Sequence, residues 1–205
     1  MNLAEEIVKQ RALWVQQRYE LAELIGFETR NKYAITTEGG VMLAYAAEQG
    51  DGMLAMAGRY FFGHWRTFDI FVFDPQRNKL LIAHHPFRWF FQRLEIRTAE
   101  GRPLGALQKV FSLLSKRFDV EDATGRTRMT VSSPLWRLWT FPFCKGERQV
   151  AVVSKKWSGL LAEGFTDTDR FRVEFEDQRL TAEERQMILA AALFIDLQFF
   201  EKKAG

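Results

Sequence analysis

Cysteine is nearly absent from this chain. Cys144 is the only one in 205 residues, which excludes an intrachain disulfide and a thiolate metal cluster. Histidine is scarce as well. His84 and His85 are neighbours, and neighbours on a strand point to opposite faces, so no zinc ligand cluster forms around them. Phosphate-cradling loops of the GxxxxGK[ST] or GxGxxG type do not occur, and nothing in the sequence supplies a base for a Cys144 nucleophile. Enzyme chemistry is therefore the least expected class. Charge of one sign is lacking too: 29 Lys and Arg stand against 26 Asp and Glu, a net charge of +3. That is too weak a bias for a nucleic-acid partner, though it favours an anionic surface such as a membrane. The opening "MNLAEEIVKQ" carries acids where a secretory leader needs a basic and then an apolar run, so an intracellular, cytoplasmic protein is expected.

A long hydrophobic run is missing as well. The longest near-continuous one, Met187 to Phe200, has 14 residues, with Asp196 and Gln198 inside it. At ~1.5 Å per residue it reaches ~21 Å, short of the ~30 Å of a bilayer core. "TAEE" (Thr181 to Glu184) ahead of it is a capping box, and Lys202 and Lys203 after it suit the negative end of a helix dipole. A helix apolar on every side yet too short to span is one enclosed by protein. The spacing predicts a buried helix over about 181–201, with Leu189, Leu193, Phe194, Asp196, Leu197 and Phe200 inside. Asp196 is either a satisfied hydrogen-bond partner at the end of the enclosure or part of a polar path.

Aromatic residues are abundant, with 19 Phe and 6 Trp in a chain that is 47% hydrophobic, enough for the core of one domain. Residues 2–25 read as an amphipathic helix, with Leu3, Ile7, Trp14 and Leu21 at helical spacing and Gly26 as its stop. From Phe27 onward short strand-like runs follow one another: "KYAITT", "VMLAYAAE", "MLAMAGRYFF", "TFDIFVFD", "NKLLIAHH", "WFFQRLEIRT", "PLGALQKVF", "KRFDVED", "TRMTVSS", "LWRLWTFPF", "RQVAVVSKK" and "DRFRVEFE". "DPQRNK", "AEGRP", "DATGR" and "CKGER" are turn signals between them. About a dozen strands at regular spacing indicate a barrel or sandwich. A barrel of that size has a lumen wide enough for the C-terminal helix. The division expected is an N-terminal helix over 1–26 and a barrel domain over 27–205.

Four stretches carry a family likeness: "LAELIGFETRNKYAI", "AYAAEQGD", "KKWSGLLAEGFTDTDRF" and "ALFIDLQFFE". Together they resemble the phospholipid scramblase family, related to the tubby and LURP-one-like proteins, in register from about Leu21 to Glu201. The resemblance implies a mainly β fold, a closed antiparallel barrel of twelve strands around a central hydrophobic C-terminal helix. It further implies calcium-activated, bidirectional, ATP-independent movement of phospholipids by a peripherally membrane-associated protein. Two rivals remain: a phospholipid- or phosphoinositide-binding module without transport, and a scaffold whose protein partners are unknown.

The chain departs from the family pattern in three respects. It has no proline-rich tail, so SH3- and WW-type partners are not expected. In place of the family's cysteine clusters stand the aromatic-basic stretches "YFFGHWR", "FRWFFQR" and "LWRLWTF". Tyr60, Phe61, Phe62, Trp65, Arg66, Arg88, Trp89, Arg93, Trp136, Arg137 and Trp139 are the candidates for contact with lipid, since Trp and Tyr favour the headgroup interface and Arg pairs with phosphate. The competing reading turns Phe90, Phe91, Leu138 and Phe141 into the barrel core. Third, the family's calcium loop maps onto "DTDRFRVEFEDQ", where Asp167 and Asp169 fit the first ligand positions but Phe171 and Phe175 occupy later ones. Calcium is the one cofactor suggested, and the alternation of Phe171, Val173 and Phe175 reads as a strand.

Overall fold

The structure, a computed structural model, describes residues 3–18, 31–50, 67–137, 139–156 and 170–199. Among them are a short helix α1 (Leu3–Lys9), twelve strands and a long helix α2 (Ala182–Phe199). The strands are β1 (Ala12–Gln17), β2 (Lys32–Thr37), β3 (Met42–Gly50), β4 (Phe68–Phe73), β5 (Lys79–His85) and β6 (Arg93–Thr98). They continue with β7 (Pro103–Val110), β8 (Ser115–Asp122), β9 (Thr127–Pro134), β10 (Thr140–Lys145), β11 (Arg148–Lys156) and β12 (Arg170–Phe175). Each strand pairs antiparallel with the next, and β1 also pairs with β12, closing the barrel. The fold expected from the sequence, a closed twelve-stranded barrel around the C-terminal helix, is the fold observed.

Period-two alternation decides what faces the lumen. Phe68, Ile70 and Val72 of β4 and Phe171, Val173 and Phe175 of β12 are buried, while the residues between them are half-exposed. Every residue of α2 from Met187 to Leu197 is buried, which requires protein on all sides of the helix. The contacts run around the wall: Tyr33 of β2 donates to Asp196, Phe118 of β8 meets Phe194 edge-on at 6.2 Å, and His85 of β5 lies 5.6 Å from the same ring. Gly105 of β7 faces the helix where a Cβ would lie 2.1 Å from the Glu121 carbonyl oxygen and 2.6 Å from Met187 Sδ. The capping box forms reciprocally: Thr181 N–H donates to Glu184 at 3.0 Å and Glu184 N–H to the Thr181 hydroxyl at 3.2 Å.

One element departs from the sequence expectation. Of the helix expected over 2–25, the described residues form helix only over Leu3–Lys9, and Ala12–Gln17 is strand β1. Leu13 and Val15 are buried while Trp14 and Gln16 face outward, an alternation that the sparse helical spacing masked. Pairing to both β12 and β2 outweighs any local helical preference. Residues 12–17 are thus part of the barrel wall rather than of a helix. "MLAMAGRYFF", read as a strand, lies outside the described residues.

The two ends of the barrel differ. At one end the strands are joined by tight turns at residues 38–41, 74–78, 99–102, 123–126 and 146–147. Asp74 and Asp122 build two of these turns by accepting from the backbone N–H two and four residues on, and Gly125 (φ 81°) supplies the left-handed backbone that one of them needs. α1 sits at this end, burying Leu3 and Ile7 and packing against α2. Arg185, fully buried, ties the two together. Its guanidinium donates to the carbonyls of Ile7 (3.1 Å), Gln10 (2.6 Å), Leu180 (3.3 Å) and Gln178 (3.4 Å), and lies 4.6 Å from the centre of the Phe175 ring. Burial pushes this guanidinium below its ordinary value.

Two outcomes follow for this end. Arg185→Met removes a donor from four carbonyls, of which, among the described residues, only Ile7 keeps another, the Gln10 N–H, and each buried one left unpaired costs ~1–3 kcal/mol; urea denaturation will show a lower midpoint, with faster amide exchange in α1. Asp177, between β12 and α2, accepts from the Arg179 side chain and backbone and pairs with Arg148, which holds its carboxyl down at about 2 against an ordinary 3.8. A lowered folded-state value means that this pairing stabilises at higher pH and is lost as pH falls from about 4 toward 2. Asp177→Asn removes that part of the acid sensitivity, read as a flatter melting-temperature profile across this range; a profile parallel to the wild type's counts against the pairing.

Candidate functional site: an aromatic crown at one end of the barrel

At the opposite end β5, β7 and β9 finish and β6, β8 and β10 begin. Eleven large apolar side chains are exposed among the described residues, and nine of them lie in the three neighbouring loops at this end. Phe87, Trp89, Phe90 and Phe91 belong to the first loop, Phe111, Leu113 and Leu114 to the second, and Leu135 and Trp136 to the third. Phe90 is 80% and Trp136 76% exposed. Such a concentration departs from the scattered single exposures of an ordinary surface and marks an interaction site.

The loops are held in place. Phe87 and Trp89 meet edge-to-face at 5.3 Å. The Gln92 amide reaches the Arg88 carbonyl at 3.3 Å, and Gln108 of β7 donates to the Phe91 carbonyl at 3.1 Å. Phe91 sits at φ 50°, a left-handed conformation uncommon for a bulky residue, and these bonds hold it there. The Leu135 N–H donates to the Leu114 carbonyl, and the Ser133 hydroxyl to the Arg137 carbonyl. First, second and third loops are thereby laced into one crown.

Charge around the crown is of one sign. Residues 86–92, 111–114 and 135–137 include Arg88 and Arg137 and no acid. Lys109, Lys116 and Arg117 flank them at the strand ends. Below, in the mouth of the barrel, polar groups are paired. Gln17 donates to Asn31, Asn31 to Glu48 at 2.6 Å, and the Tyr33 hydroxyl to Asp196 at 2.7 Å. The buried Lys155 points inward with its ammonium 5.3 Å from the Trp139 ring and 5.7 Å from Phe171, a stabilising geometry for a cation among aromatics. His84 faces out and bonds Asp69 at 2.7 Å, whereas His85 is buried against Phe68 at 4.6 Å.

The residues expected at a lipid surface thus fall in different places. Arg88, Trp89, Trp136 and Arg137 are exposed on the crown. Trp139, by contrast, is partly buried against the core in line with the inward Phe141 and Phe143, because it continues their inward row beneath Lys155. Arg93 is half-buried on the wall, where Glu121 (2.8 Å) and Gln108 (3.0 Å) already engage it. Neither is on the crown. Phe90 and Phe91 are exposed, while Phe141 is buried. Tyr60, Phe61, Phe62, Trp65 and Arg66, between β3 and β4, lie outside the described residues, as do Leu138 and Phe200. So do Asp167 and Asp169, but the rest of the supposed calcium loop is strand β12 and the Asp177 turn. Cys144 is half-buried, and burial pushes its thiol above the ordinary value, as for an inert side chain. Sequence reasoning passed over Phe111, Leu113 and Leu114. Their signal is a run, "FSLLS", that is apolar where a hairpin needs turn residues.

The scramblase family's sequence model matches residues 2–202. The chain belongs to the scramblase family. It is 28% identical to phospholipid scramblase 2 of Bos taurus, over 94% of this chain and 69% of that protein, and 27% identical to human phospholipid scramblase 1, over 91% and 62%. It is also 25% identical to altered inheritance rate of mitochondria protein 25 of Saccharomyces cerevisiae, over 98% and 73%. The chain spans about two thirds of the length of these mammalian relatives. No solved structure matches it. For this scramblase-family chain, no helix among the described residues is long and apolar enough to cross a membrane.

Because the crown side chains touch little of the fold, removing them will leave stability almost unchanged. The triple substitution Trp89→Ser, Phe90→Ser, Trp136→Ser shifts unfolding by less than ~1 kcal/mol, checked by thermal melting; a larger loss indicates that the crown packs on the core.

Proposed function

We propose that this protein docks peripherally on phospholipid membranes through the crown and promotes bidirectional, ATP-independent movement of phospholipid between leaflets. The observation that carries this reading is the gathering of nine exposed apolar side chains in an acid-free set of loops at one end. Trp89 and Trp136 suit the headgroup boundary, where an amphipathic ring satisfies both phases. Phe90 and Leu113 suit the upper acyl region. Arg88 and Arg137 meet lipid phosphates, which favours anionic lipids and hence the cytoplasmic leaflet. In this reading the bilayer is disturbed from its surface. The lumen is no conduit, since α2 occupies it.

That filled lumen also supports a second reading, a lipid-binding module of the same family without transport. Flotation with phosphatidylcholine vesicles containing phosphatidylserine tests what the two readings share. The wild type will float, and the Trp89/Phe90/Trp136→Ser variant will bind more than about tenfold more weakly, given ~1.5–3 kcal/mol for each large apolar side chain buried. Equal flotation of a folded variant refutes crown docking. Dithionite quenching of a labelled lipid in proteoliposomes then separates the readings: loss of the protected inner-leaflet signal supports transport, and its full protection supports binding alone. Repeating both with millimolar calcium examines the role proposed for Asp167 and Asp169, whose ligand oxygens are hard donors of the type calcium takes.

A further inference from the structure

On the outer wall, away from the crown, β1, β2, β3 and β12 enclose a groove of about 610 Å3. The register explains it. Gln16 stands opposite Ala34 on one side and Arg170 on the other, Trp14 opposite Thr36 and Arg172, and Ala34 opposite Tyr45. Small Ala34 and Thr36 on β2 thus lie between the larger Trp14 and Tyr45 on the neighbouring strands, which makes a trough in an otherwise convex sheet.

Its charges are divided. Arg172, toward the tight-turn end, is neutralised by Glu38 at 2.8 Å and Glu174 at 2.5 Å. Arg170 and Arg18, toward the crown end, have no carboxylate within ion-pair distance among the described residues. They flank Gln16, Arg170 across the β1–β12 pair and Arg18 two positions along, which places Arg18 ~7 Å from Gln16 along the strand. The Arg170 guanidinium carbon lies over Trp14, 4.0 Å from the ring centre, a cation–π distance, and its Nε is buried with no acceptor. Buried donors without acceptors are rare. The contact with Trp14 restrains the guanidinium, whose planar terminal nitrogens suit a two-oxygen acceptor.

We infer that this groove binds a phosphate-bearing headgroup, its phosphate on Arg170 and Arg18 and its polar body along Thr36, Thr37 and Gln16. A phosphate supplies the anion that both arginines lack. The hydroxyls of Thr36 and Thr37 accept or donate to a polyol or glycerol portion. A headgroup presented by a bilayer and a free phosphate ester carry the same phosphoryl group. This site is separate from the crown and stands whether or not the crown docks.

Calorimetry of the intact protein tests it with two probes: glycerol 3-phosphate, and dihexanoyl phosphatidic acid kept below its micelle concentration. Binding of both indicates that the phosphoryl headgroup suffices, and binding of the second alone indicates a lipid ligand. In either case Arg170→Gln and, separately, Arg18→Gln will weaken binding about tenfold or more. The Trp89/Phe90/Trp136→Ser variant will bind the soluble probes as the wild type does. Arg18 is exposed, so its variant remains informative even where Arg170→Gln disturbs the Trp14 contact. Absence of heat with both probes, or wild-type affinity in the folded Arg18→Gln variant, overturns the site.

Discussion

A twelve-stranded sheet closed on itself encloses a lumen too wide for its own side chains to fill, and everything else in this molecule accommodates the helix that fills it. α2 is apolar on every face because every face meets wall. Gly105 is required where the wall comes closest, since any side chain there collides with the Glu121 carbonyl and Met187. Phe118 and His85 converge on Phe194 because the helix presents its largest ring at that level. With a packed lumen in place of a channel, the protein's chemistry is confined to its ends and its outer wall.

Filling from one direction also makes the ends unlike. The end where α2 enters is closed by α1, the capping box and Arg185, with tight turns between the strands. At the other end the helix finishes among polar groups that are paired with one another, Tyr33 with Asp196 and Asn31 with Glu48. There the strands are linked by loops long enough to carry aromatic side chains outward. The asymmetry gives a scramblase-family barrel one end that carries exposed aromatic and aliphatic side chains and one closed by tight turns and α1.

Most of the fold was legible because the barrel repeats a local rule. Strands such as "KYAITT" and "RQVAVVSKK" coincide with β2 and β11 to the residue, since alternation and flanking turn residues are local signals. The buried helix was legible from a length that fits neither a membrane nor a surface. β1 was not, because Leu13 and Val15 make too short an alternation and only the partners β2 and β12, distant in sequence, select the strand. The same limit applies to the crown. "FRWFFQR" announces aromatics, but only the third dimension separates the exposed Phe90 from the buried Phe141, or shows Trp139 continuing an inward row beneath Lys155. The wall groove was invisible to any linear reading, because it arises from residues of four strands brought side by side.

The pairing of β1 with β12 has a consequence in time as well as in space. Of the described strands, the first in the sequence is hydrogen-bonded to the last, and α2, which fills the enclosure, is made after both. While the chain emerges during synthesis, eleven strands' worth of inward-facing apolar residues have no helix to cover them and no edge that can be sealed. Contacts this distant in sequence form slowly. The nascent sheet therefore spends its whole synthesis as an open, sticky ribbon, and it can roll shut only once the final residues of the barrel and its axle are available together.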